Sequence, residues 1–484
     1  MRRIVVVLAS MLLAVGLLFS GSYAGISADL RKAVARTAPA RPNIVFILTD
    51  DMRKDDLAYM PKTRSLLEDK GMSFENAFVS NALCAPSRAT ILRGQYSHNT
   101  QIFGNSLPKG GWEKFRDRGL QHSTVATRLH DAGYRTGLFG KYMNSYANTT
   151  YRPPGWGRWF AASEYGDPNY FDYDVNDQGT IRHYDTSDSD YITDVLSRQT
   201  NAFIRNNASG GKPFFAYVAP VAPHAPATPA PRDVHTYDGV NGPRLSSFDE
   251  TNVSDKPSWI RQLPRLTPDK IAAIDNRHER RVESLQAVDD LVQGVVRTLS
   301  DAGAMRNTYI FFTSDNGFHH GEHRIPREKW LPYEEDVHMP LLVRGPGVAA
   351  GSATYNMVLN TDYLPTFTDL AGTRTPSYVD GRTLEPVLHG TVTTWRSAVL
   401  LEAAAHRAPA YRGIRTVNTD SISKLKYVEY RKGARELYDL DPDPHERTNH
   451  YDDAPSPVVD ALAAHLQALK GCAGDTCFTA ENRP

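Results

Sequence analysis

Two pairs of oxygen-bearing side chains each follow an apolar segment of the sequence. Asp50 and Asp51 come directly after one such segment, and Asp315 and Asn316 come shortly after another. Adjacent carboxylates repel each other, so their ionised forms are costly unless a cation neutralises them. Three carboxylates and one amide offer only hard oxygen ligands, which suit Ca²⁺ or Mg²⁺ better than zinc. One pair alone is also typical of a helix N-cap, but two pairs at two strand ends predict a metal site.

The chain of 484 residues contains three cysteines, and one of them stands apart from the others. Cys472 and Cys477 lie close together in a Gly-containing stretch near the C-terminus. In an exported protein this spacing favours a small disulfide loop. Cys84 is then left without a partner. Taken alone, it is either a buried structural thiol or a residue with a chemical role.

Two basic side chains also follow apolar segments. Lys141 comes after Tyr134–Phe139, and His224 comes after Pro213–Val218. Ligands of open α/β sheets bind outside the carboxyl ends of the strands. We therefore expect these two residues to meet the acidic pairs at one edge of a sheet.

A longer motif surrounds the unpaired cysteine. The sequence from Cys84 to Gly94 reads Cys-Ala-Pro-Ser-Arg followed by Ala-Thr-Ile-Leu-Arg-Gly. It resembles the signature of the sulfatase family, Cys-x-Pro-Ser-Arg with a downstream Thr and Gly element. The resemblance extends from about Arg41 to about Asn449. The residues that match the family's other motifs are Asp50, Asp51, Lys141, His224, Asp315, Asn316 and Lys329.

The resemblance implies a hydrolase of sulfate esters with a modified nucleophile. Cys84 is expected to be oxidised to formylglycine (3-oxoalanine) by a formylglycine-generating enzyme that recognises the signature in the unfolded chain. The hydrated aldehyde carries two hydroxyl groups on one carbon. One attacks sulfur, and the other then loses a proton, expels sulfate and restores the aldehyde. This residue is also expected to join the four oxygen ligands around Ca²⁺ or, alternatively, Mg²⁺.

The same resemblance implies roles for the surrounding side chains. Arg88 is expected to steady the hydrate, and Lys141 and Lys329 to bind sulfate oxygens in the transition state. His224, or Lys329, would protonate the leaving oxygen. Asn144 is expected to join Lys141, His224 and Lys329 in binding the substrate.

Several stretches are most similar to one branch of the family, the N-acetylglucosamine-6-sulfatases and extracellular glucosamine-6-endosulfatases. They are Gly140–Asn144, Pro154–Trp156, Ser284–Asp290 and Pro340–Pro346. Many sulfatases carry a histidine two residues after the active-site lysine, whereas this chain has Met143 there, a change that this branch shares. The resemblance implies a sulfated saccharide or aryl sulfate as substrate and a role in glycosaminoglycan degradation.

Two alternative functions stay open at this point. One is a formylglycine-dependent hydrolase of phosphonate monoesters or phosphodiesters, and the other is a non-catalytic relative that binds carbohydrate. The intact set of motif residues argues against the second. Asn316 favours a calcium-type site, because dinuclear zinc phosphatases of the superfamily tend to place histidine there.

Short apolar segments precede the candidate residues and lack polar alternation, which is typical of strands buried on both faces. They are Asn43–Thr49, Tyr134–Phe139, Pro213–Val218 and Thr308–Thr313. Apolar residues from Val282 to Leu299 recur at helical spacing. We therefore predict an α/β catalytic domain over residues 41–394, with a large mixed, mostly parallel sheet sandwiched by helices. The family resemblance implies an alkaline-phosphatase-like arrangement.

The pattern changes after about residue 395. Arg415–Thr416, Leu425–Tyr430 and Glu436–Leu440 are predicted strands of a small antiparallel sheet, and Val458–Leu469 is a predicted amphipathic helix. Residues 395–470 are therefore predicted to form a C-terminal subdomain, followed by a tail over residues 471–484.

The N-terminus has the features of an export signal. Arg2 and Arg3 precede the apolar run Ile4–Phe19, and small residues at Ser22–Ala24 suit cleavage. We predict a signal peptide over residues 1–24, a mobile leader over residues 25–40 and a secreted or cell-envelope location, with an uncleaved anchor as the alternative. The 55 basic and 55 acidic residues balance, so neither nucleic acid nor a further membrane contact is an expected partner.

Three histidines, His319, His320 and His323, lie close together in the sequence. Their spacing matches no zinc pattern, and a fourth ligand is missing from the sequence around them. We expect them to be solvated or to contact the metal ligands without binding the metal themselves.

Overall fold

A computed structural model of the protein describes residues 41–147, 149–163, 169–417 and 424–482. The predicted signal peptide and leader, residues 1–40, lie outside the described residues. From Pro42 onward the chain forms one compact unit that includes the small C-terminal sheet, and the boundary at residue 395 stays a prediction. Within the described ranges, no helix is both long enough and apolar enough to span a membrane.

The apolar segments of the sequence form the strands of a large sheet. In chain order the strands of the structure are β1 Asn43–Thr49, β2 Met72–Phe74, β3 Ala77–Phe78, β4 Arg135–Gly140, β5 Arg158–Ala162, β6 Tyr173–Asp177, β7 Thr180–Tyr184, β8 Phe214–Ala219, β9 Thr308–Ser314, β10 Leu341–Arg344, β11 Ser352–Thr354, β12 Val358–Leu359, β13 Ala398–Ala403, β14 Tyr411–Thr416, β15 Leu425–Tyr430 and β16 Arg435–Asp439. Ten of them form the large sheet in the order β11-β2-β10-β9-β1-β8-β4-β5-β6-β7.

The centre of this sheet is parallel. β9, β1, β8, β4 and β5 pair in parallel, whereas β10, β6 and β7 are antiparallel to their neighbours. The carboxyl ends of β9, β1, β8 and β4 therefore lie side by side at one edge. The predicted α/β fold with a mixed, mostly parallel sheet is confirmed.

Both faces of the sheet are covered, as the continuous apolar strands predict. Along β1, Ile44, Phe46 and Leu48 belong to one buried cluster, and Val45 and Ile47 belong to another. This alternation follows from the two-residue period of a strand. The first cluster includes residues of the helices Cys84–Arg93 and Tyr363–Leu370, and the second includes those of Ile192–Ala208 and Pro268–Asp301.

The helical segments lie between the strands and after them. The α-helices are Pro61–Thr63, Cys84–Arg93, Ser97–Thr100, Gly111–Asp117, Val125–Asp131, Ile192–Ala208, Ser258–Arg261, Pro268–Asp301, Glu334–Val337, Tyr363–Leu370, Glu385–Leu388, Ser456–Lys470 and Asp475–Glu481. Short 3₁₀ turns occupy Asp55–Tyr59, Leu120–His122, Asp188–Asp190, Met305–Asn307 and Asn360–Asp362, and a π-helical turn occupies Arg64–Glu68.

The longest helix extends well beyond its predicted start. It begins at Pro268, where Thr267 caps it by accepting a hydrogen bond from the backbone N–H of Lys270. Its first turns are largely exposed, so they lack the apolar periodicity that marks the helix from Val282 onward.

The predicted small antiparallel sheet is confirmed, with the order β13-β14-β15-β16. β13 and most of β14 lack counterparts among the predicted strands. The sequence of β13, Ala-Val-Leu-Leu-Glu-Ala, is buried at every position, and periodicity alone does not separate such a run from a buried helix. The helix predicted at Val458–Leu469 spans Ser456–Lys470.

The C-terminal tail is part of this packing. Cys472 forms a disulfide with Cys477, which lies within the helix Asp475–Glu481. Glu481 is fully buried, where its carboxylate accepts hydrogen bonds from Tyr96 and Arg382 and lies 3.0 Å from the guanidinium of Arg396. A buried carboxylate with these partners ties the end of the chain to the catalytic part.

Replacing this carboxylate should destabilise the protein. Glu481→Ala leaves the buried guanidinium of Arg396 without one of its acidic partners, which typically costs about 3 to 5 kcal/mol. We expect a loss of this size in the free energy of unfolding measured with urea. Thr479→Ala, an exposed position on the same helix, is the control and should change it by less than about 0.5 kcal/mol. A loss below about 1 kcal/mol for Glu481→Ala would contradict this account.

Candidate active site

The four neighbouring parallel strands deliver the predicted residues to one edge of the sheet. β1 ends at Thr49, just before Asp50 and Asp51. β9 ends at Ser314, just before Asp315 and Asn316. Lys141 follows β4, and His224 lies five residues beyond the end of β8. The predicted meeting of these side chains at the carboxyl ends of the strands is confirmed by their contacts.

Cys84 is the first residue of a helix that is buried along its whole length, Cys84–Arg93. Asn105 accepts a hydrogen bond from the backbone N–H of Ala85 (3.0 Å), and Asn360 donates to Ser87 Oγ (3.0 Å). Leu83 is extended and offers no side-chain cap, so Asn105 serves one of the free N–H groups at this helix start. These contacts fix Cys84 at the point where the helix meets the strand ends.

The thiol of Cys84 faces the acidic pair at the end of β1. Its Sγ lies 3.4 Å from Asp50 Oδ1 and 3.8 Å from Asp51 Oδ1, and Lys329 Nζ lies 2.9 Å away. Burial raises the pKa of Cys84 well above its ordinary value, by more than Lys141 and Lys329 lower it. The unmodified side chain is therefore a neutral thiol with little nucleophilic character.

Hydrogen bonds connect Asp51 with Asp315 and Asn316. The backbone N–H of Asp51 donates to Asp315 Oδ1 (3.1 Å), and Asn316 Nδ2 donates to Asp51 Oδ1 (2.7 Å). Asn316 Oδ1 is buried and has no hydrogen-bond partner among the described residues. Asp51 has a φ of 67°, a left-handed conformation that a non-glycine residue adopts at a cost and that is common at functional sites.

Three basic side chains balance the three carboxylates. Arg88 Nε donates to Asp315 Oδ2 (2.8 Å), Lys141 forms an ion pair with Asp50, and Lys329 forms one with Asp51.

These charges also set the pKa values of the acids. Burial raises the pKa of Asp50, but Lys141, His224 and Arg88 outweigh it and hold the pKa well below its ordinary value. Burial and the neighbouring charge of Asp50 raise the pKa of Asp315 to about 7, despite the guanidinium of Arg88.

His224 presents one ring nitrogen to the site. Nδ1 lies 2.7 Å from the carbonyl oxygen of Ala225, which only accepts, so Nδ1 carries the hydrogen. Nε2 is thereby left facing Asp51 Oδ2 at 3.6 Å. This orientation leaves Nε2 available to take up or deliver a proton at the cleft.

The donor atoms suit a hard cation. Ligand atoms of Asp50, Asp51, Cys84 and His224 lie within 4.8 Å of one another, and Asp315 and Asn316 contact Asp51 directly. Buried carboxylate oxygens together with the unpartnered amide oxygen of Asn316 are the ligand type that Ca²⁺ and Mg²⁺ prefer. The predicted assignment of individual ligands stays a prediction.

A cleft of about 980 Å³ opens onto this site. Asp51, Asn144, His224 and Lys329 line it, and Asn144 Oδ1 is buried without a hydrogen-bond partner in the described part of the chain. Cleft-lining residues outside the sequence motifs include Asn105, Leu107, Lys109, Arg327, Trp330, His406 and Arg407. They lie on loops without a recognisable motif, and only the fold brings them together.

The three clustered histidines are fully buried, so the solvated alternative is wrong. A role in supporting the metal ligands stays a prediction. His319 Nδ1 is paired with Asp336 (2.7 Å), and His323 Nδ1 is paired with Glu250 (2.9 Å). Burial and neighbouring cations lower the pKa of His320 far below its ordinary value, so its ring is neutral.

Comparison with known proteins identifies the family. A family model described as sulfatase matches residues 42–373. The chain belongs to the sulfatase family. A second model, described as the C-terminal part of N-sulphoglucosamine sulphohydrolase, matches residues 321–471 of this sulfatase.

Individual relatives agree with this assignment. Human N-acetylglucosamine-6-sulfatase is 33% identical, and the match covers 91% of this chain and 86% of that protein. A Drosophila melanogaster extracellular sulfatase SULF-1 homolog is 34% identical over 76% of this chain and 34% of its own length. A solved structure of a protein in complex with its substrate, D-glucosamine-2-N,6-O-disulfate, matches with a TM-score of 0.76 and 25% identity, covering 88% of this chain and 97% of that chain.

These matches confirm the predicted enzyme class. The sulfatase hydrolyses sulfate esters, and its fold is that of the alkaline-phosphatase-like sulfatases. At the carboxyl ends of β1, β4, β8 and β9 the structure brings together Cys84, the acidic pairs and the basic side chains.

Proposed function

We propose that this sulfatase uses a formylglycine derived from Cys84, beside a divalent cation, to remove sulfate from a sulfated saccharide of the glucosamine-6-sulfate type. The observation that carries the proposal is the position of Cys84. It begins a fully buried helix, 3.4 Å from Asp50 and 2.9 Å from the ammonium of Lys329. A side chain placed there contacts the acidic pair and the ammonium of Lys329. An anionic ester needs such a positive charge beside the nucleophile.

The chemistry requires more than a thiol at this position. A buried thiol with a raised pKa is a weak nucleophile, and a plain hydroxyl would hold the sulfuryl group as a stable ester. A hydrated aldehyde attacks through one hydroxyl and expels sulfate through the other. We propose that a formylglycine-generating enzyme performs the oxidation before the chain folds, since the folded helix buries Cys84 completely.

The basic side chains act on the sulfate group. Lys141 and Lys329 place their ammonium groups beside Asp50 and Asp51, where they bind sulfate oxygens and offset the charge that grows in the transition state. Loss of one such donor typically costs about 3 kcal/mol in the barrier. Arg88 donates hydrogen bonds to Asp315 and to the carbonyl oxygen of Lys141. It therefore fixes the positions of these two residues relative to each other.

His224 serves the leaving group. Because Nδ1 is committed to the carbonyl oxygen of Ala225, Nε2 is the atom that delivers a proton to the departing sugar oxygen. Lys329 also lines the cleft and is the second candidate for this proton. Asn144, with its unpartnered amide oxygen at the cleft, binds a hydroxyl or amide hydrogen of the substrate.

Asp50, Asp51, Asp315 and Asn316 would hold the cation, with the modified Cys84 beside them. Calcium is the proposed ion, and magnesium is the alternative, because every one of these four ligands is an oxygen. When bound, the ion polarises the sulfate group and adds two positive charges to a site whose carboxylates and basic groups otherwise balance. The residues themselves orient the ester.

The substrate class rests on the relatives. A human relative is named as an N-acetylglucosamine-6-sulfatase, and a structural relative binds a glucosamine sulfated at nitrogen and at oxygen 6. Extracellular sulfatases among the relatives support the proposed secretion. A role in glycosaminoglycan degradation follows from this substrate class.

The nucleophile can be tested with two substitutions of Cys84. Cys84→Ala should lower sulfate release from an aryl sulfate and from glucosamine 6-sulfate by about 10⁴-fold or more, because no group remains to attack sulfur. Cys84→Ser should also fail to turn over, but it should retain a covalent sulfate ester detectable by protein mass spectrometry. Wild-type rates in Cys84→Ala, with unchanged thermal unfolding, would show that another residue is the nucleophile. Faster wild-type hydrolysis of a phosphonate monoester than of any sulfate ester would favour the alternative substrate.

The cation can be tested by removal and by its effect on stability. A chelator should lower the rate of sulfate release by about tenfold or more, and added Ca²⁺ or Mg²⁺ should restore it. Ca²⁺ should also raise the thermal unfolding temperature, because it binds only the folded state, and this rise should shrink in Asn316→Ala. Chelator already saturated with Ca²⁺ is the control. An unchanged rate together with an unchanged unfolding temperature would exclude the proposed site.

A further inference from the structure

Lys329 lies in a segment outside the helices and strands, between β9 and the helix Glu334–Val337. Its ammonium nevertheless reaches the centre of the site, 2.9 Å from Cys84 Sγ. A long side chain on an irregular segment has many conformations, and holding it in one costs side-chain entropy. The backbone on either side of Lys329 must therefore be held by other parts of the molecule.

The loop between β13 and β14 contacts both neighbours of Lys329. Arg407 Nε lies 2.9 Å from Glu328 Oε2. The ring of His406 stacks on Trp330, with ring centroids 4.8 Å apart and an interplanar angle of 24°. One short loop of the small sheet thus contacts the residue before Lys329 and the residue after it.

Further contacts hold each side of this arrangement. Glu328 Oε1 accepts a hydrogen bond from the backbone N–H of Lys329 (3.2 Å), and the carbonyl oxygen of Glu328 accepts one from the backbone N–H of His319 (2.8 Å). Trp330 has a φ of 81°, a left-handed conformation that is costly for a bulky residue and needs packing to maintain it. The stacked ring of His406 provides such packing.

The loop also contacts another segment that lines the cleft. Lys109 Nζ donates to the carbonyl oxygen of Ala405 (2.7 Å), and Lys109 lines the cleft together with Trp330 and Arg407. The β13–β14 loop therefore contacts both Lys109 and the Lys329 segment, which line the same cleft.

We propose that His406 and Arg407 are positioning residues, which hold the ammonium of Lys329 in place by fixing Trp330 and Glu328. The inference rests on the proposed function, because it takes Lys329 as a sulfate-binding group. It assigns the small C-terminal sheet a part in catalysis through a loop that carries no family motif. His406 and Arg407 act through Lys329 and need not touch the reacting atoms.

A double-mutant cycle separates this role from a general structural one. The double variant His406→Ala/Arg407→Ala should lower kcat for an aryl sulfate by about tenfold to a hundredfold, with KM changed by less than about threefold, because misplacing a catalytic group by about 1 Å costs this much. In the Lys329→Ala background, the same two substitutions should lower kcat by less than about twofold. Lys432→Ala, an exposed position in the turn between β15 and β16, is the matched control and should leave kcat unchanged.

Conservative variants provide an independent check. His406→Phe keeps a ring to stack on Trp330, and Arg407→Lys keeps a cation beside Glu328, so each should retain most of the wild-type kcat. Three results would overturn the proposal: equal losses in the wild-type and Lys329→Ala backgrounds, a change in KM alone, or losses in the conservative variants as large as in the alanine variants. Each comparison starts from a wild-type protein that releases sulfate. If the proposed function were wrong, the wild-type protein itself would release no sulfate, so the two kinds of failure can be told apart.

Discussion

Three carboxylates, Asp50, Asp51 and Asp315, lie fully buried at the ends of two adjacent strands, and their mutual repulsion has to be offset within a few ångströms. Isolated charges in a protein interior are strongly disfavoured. The structure offsets them with Arg88 and two lysines, and the proposed cation would tip this balance towards binding an anion. Much of the molecule can be understood as the means of holding these opposite charges at fixed distances.

The fold meets this requirement by distributing the charges over separate elements. The acids directly follow the ends of β1 and β9, and a fully buried helix contains Cys84 and Arg88. Lysines come from the end of β4 and from a loop. Because each group belongs to a different element packed in a dense core, none can move without disturbing its neighbours. Such rigidity is what preorganised electrostatic catalysis needs.

The sequence predicts the central features because they follow from local patterns. Continuous apolar strands such as β1 and β8 indicate a sheet covered on both faces, and the motif around Cys84 indicates the family. The edge strand β7, exposed along most of its length, and the fully buried β13 carry no such pattern. Periodicity also fails to detect the exposed first turns of the long helix.

The candidate site divides in the same way. Strand-end residues such as Asp315 are identifiable from the sequence, whereas the cleft wall formed by Trp330 and His406 depends on contacts between residues about 75 positions apart. Long-range packing of loops leaves no periodic signal in the sequence. The buried state of His320 is equally invisible, since three nearby histidines suggest a polar surface when the surrounding fold is unknown.

The central claim is that the working residue at position 84 is an aldehyde and not a thiol. Peptide mass spectrometry across Cys84, performed on protein that releases sulfate, tests it most directly. We predict that the peptide carries formylglycine or its hydrate, in a fraction that rises with specific activity from one preparation to the next. A fully active preparation in which Cys84 is an unmodified thiol would contradict the account.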